Sequence, residues 1–229
     1  MHVSQGDVDL RALAAEIQTI EQIDGLLDQM LEVAAILEEA LAPLGVHPVV
    51  VGGLALAYWT PPGLYLTEDI DVVMPAIPAA EERLAKLGFV RDGRYWTLPG
   101  HDLFLEAPGS LLEPNPEGFD IVETQSGRQV RVQAPEDLFG LRFGEFVALG
   151  TPDVFQQLLW LLGSTELVPS ELESRADDSS YLRQIGVSRR AYLEGLETLR
   201  TYAEKIQRGD KAPEMWEIHE MAARLQVSK

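Results

Sequence analysis

The stretch Thr67-Glu68-Asp69-Ile70-Asp71-Val72-Val73-Met74 sets two carboxylates one residue apart inside an apolar run. Alternate side chains of an extended strand share a face. Asp69 and Asp71 therefore project together, while Ile70, Val72 and Met74 line the opposite side. Two carboxylates held side by side repel each other and resist desolvation. A cation compensates such a pair, and Mg²⁺ above all is bound through one or two carboxylates plus substrate phosphates. A solvated edge strand is the blander explanation, because charged side chains are usually exposed. The apolar alternate positions argue instead for a strand with one face in a core, and Val73 on the acidic side suggests that this face is only partly open.

Two other segments could join this chemistry. Val46 to Val51 reads as a short buried strand running into Gly52-Gly53, followed by a helical turn from Leu54 to Trp59. Paired glycines let the backbone bend sharply and bring its N–H groups close to a ligand, and the positive end of the next helix favours an anion such as phosphate. A plain tight turn would also explain them. In Asp102-Leu103-Phe104-Leu105-Glu106 the same period of two sets Asp102 and Glu106 on one face. Either acid could be the third carboxylate of a cluster able to hold two cations about 3.5–4 Å apart. Glu106 stands at the strand end before Ala107-Pro108, whereas Asp102 comes early enough to be a cap or turn residue.

The remaining chain supplies the scaffold. Ile23, Leu26, Met30, Val33, Leu37, Leu41 and Leu44 recur at steps of three and four, which predicts helix through the first forty-odd residues. Gly25 marks a break or kink there and Gly45 a C-terminal cap. After the acidic strand a helix is expected between Pro78 and Gly88, with Leu84 and Leu87 buried. Tyr95–Leu98 and Asp102–Ala107 read as extended, 108–118 as a loop, and Phe119–Thr124 with Gln129–Gln133 as a hairpin. Pro135-Glu136-Asp137 and Thr151-Pro152-Asp153 open helices, and nearly everything beyond is helical. Leu193, Leu196, Leu199, Ala203 and Ile206 form one apolar stripe, and a last helix covers Glu214–Leu225. The layout is α+β, with an expected division into residues 1–134 and a helical region 135–229.

Composition narrows the function classes. Eighteen Lys and Arg against 37 Asp and Glu give a formal charge of −19, which disfavours extended nucleic-acid binding and anionic membranes. The absence of cysteine removes disulfides, thiolate zinc sites and cysteine nucleophiles. No apolar run approaches the roughly 18–20 residues of a membrane span, and no signal-peptide pattern opens the chain. A cytoplasmic location without membrane association is the default expectation.

Taken together, Val49-Val50-Val51-Gly52-Gly53, a short helix, and Thr67-Glu68-Asp69-Ile70-Asp71-Val72-Val73 resemble the nucleotidyltransferase (polymerase β-like) superfamily. Glu106-Ala107-Pro108 and Pro135-Glu136-Asp137 are similar to segments of its small prokaryotic branch of uncharacterised and AbiEii-toxin-like proteins. The resemblance is best over residues 46–145. It implies a small mixed sheet flanked by N-terminal helices and a C-terminal helical region. It further implies that Gly52 and Gly53 lie against a nucleoside triphosphate, that Asp69 and Asp71 ligate Mg²⁺, and that Glu106 is the third carboxylate and helps deprotonate an attacking hydroxyl. The implied reaction moves a nucleoside monophosphate to a hydroxyl of a protein, RNA or small molecule, in a toxin–antitoxin or defence setting with an antitoxin-like partner.

Departures from the pattern keep other readings open. Gly53 stands where a serine could bind phosphate, and Tyr65 and Leu66 occupy a stretch that often holds Arg or Lys. Arg91, Arg94 and Arg142 are the cations to consider nearby, each with a surface or structural role as its simpler explanation. A catalytically silent module of the same fold is therefore the alternative. An Asp-x-Asp glycosyltransferase is a third reading, opposed by the early position of the acids and the small sheet.

Overall fold

A mixed seven-stranded sheet carries the acidic strand at its centre. The computed structural model describes residues 8–164 and 166–227, and residues 1–7, 165 and 228–229 of the expected division lie outside the described residues. Two compact units emerge. The first takes the chain up to Tyr58, Leu66–Leu112 and Phe119–Gln133; the second takes Trp59–Tyr65, Glu113–Gly118 and the chain from Ala134 onward.

In the first unit, α1 (Leu10–Ile17) and α2 (Leu26–Leu41) precede the sheet. Gly25 breaks the helical run as expected, capping α2 from a positive φ of 93°. Met30, Val33, Leu37 and Leu41 are buried, in line with their periodicity. The strand expected over Val46–Val51 is shorter, with β1 confined to Val49–Val50 and α3 (Gly52–Trp59) starting at the glycine pair itself. Then follow β2 (Asp69–Val73), α4 (Pro78–Lys86), β3 (Val90–Asp92), β4 (Tyr95–Thr97), β5 (Phe104–Gly109), β6 (Phe119–Glu123) and β7 (Gln129–Gln133).

The strand order is β3-β4-β5-β2-β1-β7-β6. β2 runs antiparallel to β1 and parallel to β5, and β1 runs parallel to β7. A central position rules out the edge-strand explanation of Asp-x-Asp. The helices and hairpin around β2 arise from local signals: Pro78 opens α4, Leu84 and Leu87 are fully buried, and residues 119–133 form the expected hairpin. β3 has no counterpart in the sequence pattern, because its three exposed residues show no alternation. It exists by pairing with β4 across a two-residue turn, Gly93-Arg94, in which Gly93 has φ 62°. Glycine first in such a turn matches the type that follows strand twist.

One charged cluster ties the β6–β7 hairpin to the helices. Arg128 meets Glu16 at 2.6 Å, Glu32 at 2.6 Å and Glu39 at 3.0 Å. Glu32 is 3% exposed. Burial alone would raise its pKa, but hydrogen bonds from Thr124, Ser126 and Arg128 outweigh it and leave the value lowered.

In the second unit, α5 (Pro135–Leu149), α6 (Pro152–Leu162), α7 (Pro169–Arg175), α8 (Ser179–Gln184), α9 (Arg189–Gln207) and α10 (Met215–Val227) pack around Phe139, Phe143, Phe146, Phe155 and Tyr192. The stripe expected on α9 holds only in its first half: Leu196 and Leu199 are buried with Tyr192, whereas Ile206 is exposed. The helix outruns the neighbours that could cover its end. Glu136 and Asp137, expected as ordinary first-turn acids, are both buried. Glu136 Oε1 accepts the Val168 N–H at 2.6 Å, and Asp137 meets Arg175 at 3.0 Å and the Asn115 amide at 3.1 Å. They bracket the helical unit together. No helix among the described residues is long and apolar enough to cross a membrane.

Candidate functional site

β2 divides its side chains as alternation demands. Ile70 and Val72 are fully buried, and Met74 just beyond the strand is buried too, while Asp69, Asp71 and Val73 are half-buried on the other face. Val73 packs beside Val49, Val51, Leu112 and Phe119. That cluster covers the Val73 end of the face, and the acids occupy the other.

The register with β5 sets a third acid on this face. Asp69 pairs with Phe104, Ile70 with Leu105 and Asp71 with Glu106, with an irregularity after Asp71. Leu105 is fully buried beside Ile70, so Phe104 and Glu106 share the face of Asp69 and Asp71. Glu106 thus lies one strand over from Asp71. Asp102 precedes the strand in an exposed bend, so the extension expected from residue 102 starts two residues later and that acid stays off the strand.

The glycine pair serves the same spot from β1. The Val51 N–H donates to the Asp71 carbonyl at 2.9 Å, and the Gly53 N–H makes a long, 3.4 Å contact with Asp71 Oδ2. Gly52 has φ 59°, and a Cβ there would lie 2.3 Å from Asp71 Oδ2. Only glycine permits both the left-handed conformation and that approach. The Asp71 carboxylate thus lies at the start of α3, where the helix end favours negative charge.

A cation also reaches the acids. Arg94, at the tip of the β3–β4 turn, meets Glu106 through Nε at 3.4 Å and stacks over the Tyr95 ring at 4.6 Å from its centroid. It also donates to the Tyr95 hydroxyl. That bond, then the charges of Glu106 and, more weakly, Asp69, raise the guanidinium pKa. The other two candidate cations are engaged elsewhere, Arg91 with Glu81 at 2.7 Å and Arg142 with Glu145 at 2.8 Å. Tyr95 and Phe104 join the site without having been singled out by motif. Their signal lies in the alternation of Tyr95/Thr97 and Phe104/Glu106 around the buried Trp96 and Leu105.

Three oxygen-donating carboxylates on one face are the donor chemistry that a hard divalent cation takes. The cation that this face meets is the Arg94 guanidinium, drawn onto Glu106. Among the described residues, however, no group of three His, Asp or Glu side chains is gathered closely enough to hold a metal. Shared face and register bring the acids together, and Glu106 is turned to Arg94.

The sequence matches no family model and no curated protein. Among solved structures it is similar to an antigenic nucleotidyltransferase-like protein from Paracoccidioides brasiliensis, at 14% identity and a TM-score of 0.52, over 80% of this chain and 94% of that one. It also matches the solution structure of the antibiotic-resistance factor ANT(2'')-Ia, at 16% identity and a TM-score of 0.35, over 87% of this chain and 93% of that one. A crystal structure of ANT(2")-Ia in complex with adenylyl-2"-tobramycin gives 15% identity and a TM-score of 0.33, over 84% and 99% respectively. The first likeness shows a shared α+β fold with helical flanks and nothing further. The other two are too loose to carry any argument.

Proposed function

We propose that this protein is a Mg²⁺-dependent nucleotidyltransferase that moves a nucleoside monophosphate from a nucleoside triphosphate to a hydroxyl acceptor. The observation that carries the reading is the central β2 strand, which holds Asp69 and Asp71 on one partly open face with Glu106 in register across β5. Two half-buried carboxylates side by side on a central strand repel each other, and a divalent cation held by them would offset that repulsion. Asp69 and Asp71 would hold the metal, and Glu106 would join them on release from Arg94. When bound, Mg²⁺ would supply charge neutralisation for the triphosphate and the leaving pyrophosphate.

The chain's own residues then have defined tasks. Gly52 and Gly53 keep the backbone low enough for Asp71 to hold its place, and they are where the triphosphate would pass. Glu106 would accept the proton of the acceptor hydroxyl as its oxygen bonds to the α-phosphorus and the bond to the β-phosphate breaks, so that pyrophosphate leaves. The acceptor is a protein, RNA or small-molecule hydroxyl. A toxin–antitoxin or defence setting with an antitoxin-like partner is the context that the resemblance to the AbiEii-like branch implies.

A second reading rests on specific contacts: the Gly53 N–H already faces Asp71, and Arg94 already faces Glu106. A silent binding module would need no more than this. Incubating the protein and Mg²⁺ with labelled ATP, CTP, GTP and UTP, in the presence of cell RNA and protein, separates the two. Transfer of label that is lost in Asp69→Asn/Asp71→Asn supports the enzyme. No labelled product, with melting unchanged by nucleotide or Mg²⁺, supports the silent module.

A further inference from the structure

The open face of the sheet is not acidic throughout. Phe104 shares it with Asp69 and Glu106, since Leu105 between them points into the core. Its ring is 38% exposed although β5 is an interior strand, with β4 on one side and β2 on the other. Thr97 on β4 and Asp69 on β2 pair with it in register. Tyr95 is its diagonal neighbour on the same face, close enough for two aromatic side chains to border one ligand. The Tyr95 ring carries the Arg94 guanidinium, 4.6 Å from its centroid. Phe104 is the more exposed of the two rings.

We propose that Phe104 is the stacking platform for the base of a bound nucleotide. The inference rests on the reading of this protein as one that takes a nucleotide, adds the place of the base, and needs no metal at the acids. Bases stack on exposed aromatic side chains with little regard to sequence, because every base has a π-face. Charge then selects which part of the nucleotide lies here. Asp69, in register beside Phe104, repels a phosphate, so the uncharged base is the part that this spot accepts. Distance agrees with that choice. The strands run β1, β2, β5 across the sheet, so the glycine pair after β1 lies two strands from Phe104, about 10 Å at the usual spacing. That span leaves a ribose between phosphates at the glycines and a base on the ring. An RNA strand is the poorer occupant, because its phosphates would meet a formal charge of −19.

The test is adenosine binding by the full chain in EDTA, titrated by saturation-transfer difference nuclear magnetic resonance. Adenosine carries no phosphate and needs no cation, so it isolates the base. The parent should bind it, and Phe104→Ala should weaken binding by about 5- to 150-fold, the range that stacking on one aromatic covers. Phe104→Leu keeps apolar bulk without a π-face and should lose nearly as much. Phe104→Trp should bind as tightly as the parent or more so. Far-ultraviolet circular dichroism and melting verify that the variants are folded, which the exposure of Phe104 favours. Equal binding by the parent, Phe104→Ala and Phe104→Leu overturns the platform, and so does a folded parent that binds no adenosine. Hexa-adenylate bound more tightly than adenosine would assign the ring to an RNA strand and overturn its assignment to a nucleotide. The transfer reaction stands or falls separately, on the label transfer that Asp69→Asn/Asp71→Asn removes. Adenosine held on Phe104 without any such transfer keeps the platform and removes the transferase.

Discussion

Gly52→Ala should damage the site more than the fold. Its φ of 59° lies in the left-handed region, which costs a residue bearing a Cβ about 1–2 kcal/mol. The stiffer unfolded chain returns about 0.4–1 kcal/mol. The net loss is therefore about 1 kcal/mol, or a fall in Tm of about 2–4 °C for a chain of this size. The local consequence is larger. The new methyl would sit 2.3 Å from Asp71 Oδ2, with the carboxyl carbon at 3.1 Å and the Asp71 Cβ at 3.2 Å. Relief requires the carboxylate to move by about 1 Å, a misplacement that can cost about 100-fold in rate. Gly45→Ala is the matched control, since Gly45 has φ 68° and a methyl added there would meet nothing within 4 Å. Differential scanning calorimetry and Mn²⁺ titration of both variants, with transfer rate where label transfer is seen, separate strain from displacement. Both should lose similar stability, and only Gly52→Ala should lose metal binding and transfer. If Gly52→Ala binds Mn²⁺ as Gly45→Ala does, the close approach to Asp71 has no functional meaning and the reasoning fails.

Three further outcomes are expected. Asp69→Asn/Asp71→Asn should abolish Mn²⁺ binding while keeping or raising Tm, because like-charge repulsion is relieved; unfolding of the double variant would mark the acids as structural. Arg128→Met should cost about 1–3 kcal/mol in chemical denaturation by leaving the buried Glu32 without its cation, with part recovered in Arg128→Met/Glu32→Leu; a loss no smaller in the double variant would contradict that cause. The lowered pKa of Glu32 means that the unfolded chain binds its proton more tightly, so its stabilisation is full above the ordinary glutamate value of about 4.3 and is lost as pH falls through the depressed native value. Glu32→Gln should accordingly flatten the decline of Tm between about pH 5 and pH 3, and an unchanged profile would show that other acids set it.

The chain's local patterns carried much of this architecture. Alternation in Asp69–Val73 assigned each side chain to its face, because strand geometry has a period of two whatever the fold around it. Proline and glycine set the bounds of α4 and of α5, and the β6–β7 hairpin announced itself through Gln125-Ser126-Gly127-Arg128. β3 stayed hidden because three exposed residues have no pattern apart from the partner strand that defines them. Glu136 and Asp137 looked like ordinary helix-start acids, yet burial turned them into brackets for Val168, Arg175 and Asn115.

The residue types, and with them the kind of chemistry, were written into the sequence: two aspartates on one strand face, a glycine pair, and two acids thirty or more residues on. Three things waited for the tertiary structure. Parallel pairing of β2 with β5 set Glu106, and not Asp102, on the face of Asp69 and Asp71, the left-handed Gly52 brought Asp71 to the start of α3, and the β3–β4 turn carried Arg94 onto Glu106. Local sequence sets which way a side chain points along its own strand. Register between strands distant in the chain is a long-range packing choice, and no local pattern encodes it.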